Sequence, residues 1–166
     1  AQTRSGLTET RRALQSLRAT PLEDLGLRLA LKTLAEGQAQ RAGWRLTLDL
    51  AEELESLPPD LEQILYRIAS EALTNCIKHA NANRVSLTLL WQDNDLLLRI
   101  TDDGDGFNPD DAPADRFGLT GMRERAMMVG GMLTVESADE QGTTITLLVP
   151  NARIIKAEAK PMVNDE

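Results

Sequence analysis

The chain has 166 residues, enough for one ordinary domain with a sizeable core and short flanking pieces. Its formal net charge of -8 at pH 7 excludes broad electrostatic attraction to nucleic acid or anionic lipid, so a phosphate ligand has to be held by a few local groups and a metal ion such as Mg²⁺. The single cysteine, Cys76, excludes an internal disulfide and fits a reducing, cytoplasmic setting; no apolar run nears the roughly 20 residues that span a bilayer, and Ala1 to Arg18 lacks the apolar centre of a signal peptide.

In chain order, Leu7, Leu14 and Leu17 recur at helical spacing and stop at Thr20-Pro21, which predicts a helix over residues 1 to 19. A second amphipathic helix is expected from about Leu22 to Ala42, with Leu25, Leu29, Lys32 and Glu36 on a mixed face and Gly43 at its end. Arg45 to Leu50 alternates polar and apolar residues as a half-buried strand does. Pro58, Pro59 and Asp60 then open a long helix running to about Ala80. Strands are expected at Val85 to Trp91 and Leu96 to Asp102, joined by the tight polar turn Gln92-Asp93-Asn94-Asp95. An irregular stretch, Phe107 to Phe117, carries Pro109, Pro113 and several aspartates and is expected to be mobile until a ligand binds. A helix from about Thr120 to Val129 and strands at Met132 to Ser137 and Thr143 to Val149 complete the order, and the charged tail after Pro150 is expected to be loose. The fold class is therefore α+β, a two-layer sandwich whose mixed, mainly antiparallel sheet is covered by helices on one face.

Three segments of this order carry chemistry. On the helix before Ala80, Leu61, Ile64, Leu65, Ile68 and Ala72 share an apolar face, and Asn75 projects onto it between Ile64 and Ile68. Glu71 and Lys78 fall on the same stripe, so a carboxylate, an amide and a cation line its edge. Taken alone, this reads equally as a surface ion pair beside a satisfied core asparagine or as a site in which Asn75 gives an oxygen to Mg²⁺. Leu96, Leu98, Ile100 and Asp102 share one strand face, so Asp102 points where the core residues point. A carboxylate there needs donors, and the amino group of adenine is one. Gly104 and Gly106 follow at once and permit a sharp turn and close backbone approach. Gly118 and Gly121 flank Leu119 at the start of the next helix, whose unpaired amides can receive phosphate oxygens, with Arg123 and Arg125 adding positive charge. The apolar side of that helix reads Met122, Met127 and Met128 as core filler.

Together, YRIASEALTNCIKHANA, DDGDGF, FGLTGMRERA and QGTTITLLVP, in this order over about residues 21 to 150, resemble the ATP-binding catalytic domain of two-component sensor histidine kinases. The wider group includes gyrase-type topoisomerases, a heat-shock chaperone family and mismatch-repair ATPases, and the wording is nearest the nitrate-sensor and cell-wall-stress branch. The resemblance implies that Asn75 coordinates Mg²⁺, that Lys78 and His79 approach the phosphates of ATP, and that Asp102 reads the adenine amino group beside Thr143. Gly104, Gly106, Gly118 and Gly121 then shape the base and phosphate contacts, with Leu119 and Met122 counted in the nucleotide site. Glu71, four residues before Asn75, is the candidate catalytic group, as a base or as a support for the metal's water shell. Two departures stand out: Arg116-Phe117 precede Gly118 where the family often has a glycine pair, and position 71 is Glu where many sensor kinases outside this branch have Asn.

His79 is the only histidine, within the Asn75 segment, and its wheel position matches that of Leu61, so packing or a phosphate-side hydrogen bond is expected of it. The family's phosphoacceptor histidine lies on a preceding dimerisation helix; residues 1 to 20 look like the end of that domain, 21 to 150 like the catalytic domain, and 151 to 166 like a loose tail. The implied function is transfer of the γ-phosphoryl group of ATP to a histidine on a dimerisation helix, then to an aspartate of a response regulator with a helix-turn-helix output domain. The implied parent is a homodimer, either soluble or anchored in the inner membrane, and the fragment a monomer that does not itself bind nucleic acid. Alternatives are a serine kinase of the anti-sigma-factor type and a non-catalytic nucleotide- or protein-binding module.

Overall fold

The computed structural model describes residues 21–52, 54, 57–108 and 117–152. The helix expected over residues 1 to 19, residues 109–116 of the irregular stretch, and the tail from 153 onward lie outside them. The described elements are α1 (Pro21–Ala42), β1 (Arg45–Leu50), α2 (Pro59–Asn75), a π-helical segment (Cys76–Ala80), β2 (Arg84–Gln92), β3 (Asp95–Asp102), α3 (Phe117–Met128), β4 (Met132–Ser137) and β5 (Thr143–Val149).

The five strands form one sheet in the order β1-β2-β3-β5-β4. β1 runs parallel to β2 and the other neighbours are antiparallel, giving the mixed, mainly antiparallel sheet that the element order implied. Two-residue periodicity sends Val85, Leu87 and Leu89 of β2, Leu96, Leu98 and Ile100 of β3, and Ile145, Leu147 and Val149 of β5 to the same face. All three helices bury their apolar stripes there: Leu27, Leu31 and Ala35 of α1, Leu61, Leu65, Ile68 and Ala72 of α2, and Met122 and Ala126 of α3 belong to one core with those strand residues. At about 2 kcal/mol for each fully buried leucine or isoleucine, this single face holds the two layers together. The opposite face carries rows of hydroxyls, with Thr101 and Thr144 3.1 Å apart and Arg99 Nε donating to Thr146 at 3.4 Å. Ala152, just past Pro150, is also fully buried in the core.

Several local expectations are corrected. α1 is not continuous: Gly26, at φ 73° and ψ 162°, breaks it, and the core-facing stripe is Leu27, Ala30, Leu31, Ala35 and Ala39 while Leu25 and Leu29 face outward. α2 starts at Pro59, a position where proline's missing N–H loses nothing, but its α-helical winding stops at Asn75 and continues to Ala80 with π geometry. The wider turn rotates every later side chain, so His79 is exposed although a regular wheel superposes it on buried Leu61. Asn81, at φ 51°, then ends the segment in the left-handed conformation that asparagine tolerates. α3 begins at Phe117, so Gly118 lies in its first turn; the low helix propensity of glycine hides this start from a reading by residue type. Met122 is buried as expected, but Met127 and Met128 are exposed by 68% and 77%.

The end of β3 is latched to the start of β2 by Asp103. Its Oδ1 accepts the backbone amides of Asn83 at 2.8 Å and Arg84 at 2.7 Å, and its own amide donates to the Arg84 carbonyl at 3.2 Å. The Arg84 amide bond, foremost, holds this carboxyl below the usual aspartate value. Its stabilising contribution is therefore complete above about pH 3.9 and is lost as pH falls through the lower folded value. Asp103→Ala should lower the melting temperature by a few degrees at pH 7, and the gap to the unaltered chain should narrow as the pH is lowered through and below the ordinary aspartate range; a gap that stays undiminished throughout an acid titration contradicts this role.

Candidate functional site

Where β3 ends and α2 passes into its π-helical continuation, the molecule opens a cavity of about 390 Å³. Glu71, Ala72 and Asn75 of α2 and Cys76, Lys78, His79 and Ala80 of the π segment form one wall. Asp102, Gly106, Phe107, Thr143 and Ile145 form the floor, and Gly118 and Leu119 of α3 close the third side. α2, β3, α3 and β5 each bring an end to the cavity and bury their middles in the core. A larger groove, about 890 Å³, lies between α1 and β1 against leucines 25, 29, 48 and 50, and shares none of these residues.

Asp102 is the buried charged residue among those described, only 5% exposed. Its Oδ1 accepts the Gly104 amide at 2.9 Å, and its Oδ2 lies 3.5 Å from the Cys76 thiol, which donates to it. These donors leave further lone pairs of the carboxylate for a ligand. The turn is possible only because residue 104 has no side chain: a Cβ there would collide with the Ala80 carbonyl, which accepts the Asp105 amide at 2.7 Å. Gly106, at φ 64°, passes just as tightly by the Ala138 carbonyl. Gly104 thus shapes the floor without lining it.

Burial, then the neighbouring Asp102 charge and the hydrogen bond to it, push the Cys76 thiol far above its usual value. It stays a neutral donor across the physiological range. Cys76 escaped the sequence reading, which used the residue only to exclude a disulfide; its place four residues before Ala80 on a buried face was the available signal.

Glu71 and Asn75 lean together toward the start of α3. A Cβ on Gly118 would lie 2.6 Å from Glu71 Oε1 and 3.6 Å from Asn75 Nδ2, so glycine is what lets that helix start approach the pair. Among the described residues Lys32 and Glu36 of α1 form an ion pair at 3.9 Å and none joins Glu71 to Lys78, which removes the simple surface-pair reading of that stripe. Lys78 and His79 stand exposed at the cavity mouth. Gly121 and Met122 do not line the cavity: Arg125 folds back to within 3.3 Å of a Cβ position on Gly121, and Met122 is wholly buried beneath the helix. The described residues hold no group of three or more His, Cys, Asp or Glu suited to a metal, and no helix long and apolar enough to cross a membrane.

Residues 60–153 match the family described as histidine kinase-, DNA gyrase B- and HSP90-like ATPase. The signal transduction histidine-protein kinase/phosphatase DegS of Brevibacillus brevis is 34% identical over 147 residues, 89% of this chain and 38% of that protein. Sensor protein VraS of Staphylococcus saprophyticus is 34% identical over 142 residues, 86% of this chain and 40% of that protein. The chain thus spans about two-fifths of the length of these curated relatives. Among solved structures, the histidine kinase domain of a blue-light activated histidine kinase from Erythrobacter litoralis superposes with a TM-score of 0.64 at 22% identity, covering 81% of this chain and 66% of that one. Histidine kinase AdeS of Acinetobacter baumannii gives 0.59 at 15% identity, covering 89% and 78%. At such identities the superpositions establish the fold.

The environment of Cys76 has a measurable consequence. In the folded chain at pH 8 iodoacetamide should react with Cys76 at least about a hundredfold more slowly than in the urea-unfolded chain. Asp102→Asn, by removing the adjacent negative charge, should bring the thiol's titration down and speed alkylation at pH 9; an unchanged rate would show that Asp102 does not act on the thiol.

Proposed function

The chain belongs to the histidine kinase-, DNA gyrase B- and HSP90-like ATPase family, and from that premise we propose that it is the ATP-binding catalytic domain of a two-component sensor histidine kinase. The observation that supports this most is the convergence on one cavity of Asp102 at its floor, Asn75 and Glu71 on its wall, and the start of α3 opposite them. The same cavity is lined by a buried acceptor suited to an amino group, by an amide-rich helix start and by the exposed Lys78 and His79, a set of groups that suits a nucleoside triphosphate.

In this reading Asp102 accepts a hydrogen bond from the adenine amino group, Thr143 lies beside it, and Gly106 and Ile145 bound the base. Lys78, His79 and the first amides of α3 receive phosphate oxygens. Asn75 and Glu71, one amide and one carboxylate without a third ligand, fit a Mg²⁺ ion carried in with the phosphates and not a cage made by protein alone. Mg²⁺, held by Asn75, would supply charge neutralisation to the triphosphate. Glu71 would support the water around that ion, and the pocket needs no strong base, because phosphoryl transfer depends mostly on positioning and charge neutralisation. The γ-phosphoryl group leaves ADP for a histidine nitrogen on a dimerisation helix, in a domain outside residues 21 to 150, and passes from there to a response-regulator aspartate. Residues 1 to 20 are read as the end of that dimerisation domain, and the working assembly as a homodimer on the cytoplasmic side.

Two measurements test the roles. Calorimetry with and without Mg²⁺ should show that Asp102→Asn weakens ATP binding in both conditions, whereas Asn75→Ala weakens it mainly when the metal is present; equal metal dependence would defeat the division of labour. Incubated with ATP, the chain alone should acquire no acid-labile label, because His79 sits at the phosphate end of the cavity. It should slowly label a separately supplied dimerisation domain of its own kinase, and Asn75→Ala should abolish that transfer. Label on the chain alone that disappears in His79→Gln would make His79 the acceptor instead.

A further inference from the structure

Ser137 closes β4, outside the four motif segments that carry the family resemblance. Its hydroxyl oxygen has three neighbours at hydrogen-bonding distance: the Gly142 carbonyl at 2.9 Å, the Phe107 amide nitrogen at 3.0 Å and the Thr143 hydroxyl at 2.9 Å. A serine hydroxyl has one proton to give and two lone pairs with which to accept. The carbonyl can only accept, so the proton goes to Gly142. The amide can only donate, so Phe107 occupies one lone pair. What remains for Thr143 is the second lone pair, and Thr143 must therefore be the donor. Its only hydroxyl proton is turned toward Ser137, away from the cavity that Thr143 lines.

Thr143 is the direct cross-strand partner of Asp102. An ionised carboxylate only accepts, and a threonine whose proton is already committed also only accepts. We propose that Ser137 is a specificity-determining positioning residue, which fixes the Thr143 hydroxyl as an acceptor so that the floor of the cavity selects a 6-amino purine over a 6-oxo purine. The amino group offers two N–H donors to two acceptors, whereas a 6-oxo group brings a third acceptor against them and leaves buried lone pairs facing one another. The proposal rests on the reading of this cavity as a nucleotide site. It also gives Ser137 a second tie, since the amide it accepts belongs to Phe107, another residue of the cavity floor.

Titration of the 166-residue chain with ATP and with inosine 5′-triphosphate, which differs at the 6-position and its adjoining ring nitrogen, tests this. The unaltered chain should prefer ATP. Ser137→Ala frees the Thr143 proton to turn into the cavity, and the ATP-over-inosine-triphosphate preference should fall about tenfold. Ser137→Thr, which keeps a hydroxyl, should restore it, and Ser137→Ala should have no further effect on the preference in a Thr143→Val background. A merely structural loss would weaken both nucleotides alike, so a Ser137→Ala preference equal to that of the unaltered chain overturns the proposal. If Ser137→Ala does not fold, Thr143→Val decides: it removes the oriented acceptor, and an unchanged preference overturns the proposal equally. An unaltered chain that binds both nucleotides alike also overturns it while leaving the nucleotide reading intact, and one that binds neither defeats the nucleotide reading itself.

Discussion

A carboxylate buried at the end of an apolar strand costs several kcal/mol unless donors meet it, and the region around Asp102 is organised by that requirement. The Gly104 amide can reach Oδ1 only if the chain turns back within two residues, and that turn brings residue 104 against the Ala80 carbonyl, where no side chain fits. The Cys76 thiol can reach Oδ2 only if α2 ends directly above the end of β3. Asp103, one residue on, ties the same strand end to Asn83 and Arg84. The turn, the helix end and the strand end are thus fixed by one set of hydrogen bonds, with the apolar core supplying the energy that keeps Asp102 out of water.

The π-helical segment adds a second constraint of the same kind. Up to Asn75 the helix presents its buried stripe at regular α spacing, and at Cys76 the winding loosens. Cys76 and Ala80 stay on the buried side, while Ile77, Lys78 and His79 turn outward. Regular α geometry would put His79 over the position of Leu61, against the core. The wider turn delivers a cation and an imidazole to the cavity mouth and a thiol to the Asp102 carboxylate from five consecutive residues.

The division between core and site follows from where each element has free backbone groups. Strand and helix middles satisfy their amides and carbonyls within the sheet and the helix, so they bury apolar side chains without penalty; only ends have donors and acceptors to spare. α2, β3, α3 and β5 all bring ends to the cavity, and β4 brings its last residue, Ser137, to the hydroxyl of Thr143. Gly118 lets the start of α3 close on Glu71 and Asn75 from the remaining side.

Gly106 and Gly118 were marked by residue type and Thr143 by the family resemblance, whereas the periodicity of the sequence by itself determined the inward face of β3, the placement of α2 with its apolar stripe, and Glu71, Asn75 and Asp102 as candidates. These are legible because two- and 3.6-residue periods are local properties, and because polar residues at apolar positions break them visibly. It did not determine the break of α1 at Gly26, the outward turn of His79 or the exposure of Met127 and Met128, since winding irregularities and the choice between two neighbouring helix faces depend on what packs against them. Nor did it mark Cys76 or Ser137. Each is an ordinary small residue in its own segment, and each acquires a role only when a partner 26 residues away, Asp102, or 30 residues away, Phe107, is carried to it by the closing of the sheet. The direction of a hydroxyl proton is settled last of all, because it is fixed by the count of donors and acceptors that tertiary structure gathers around one oxygen.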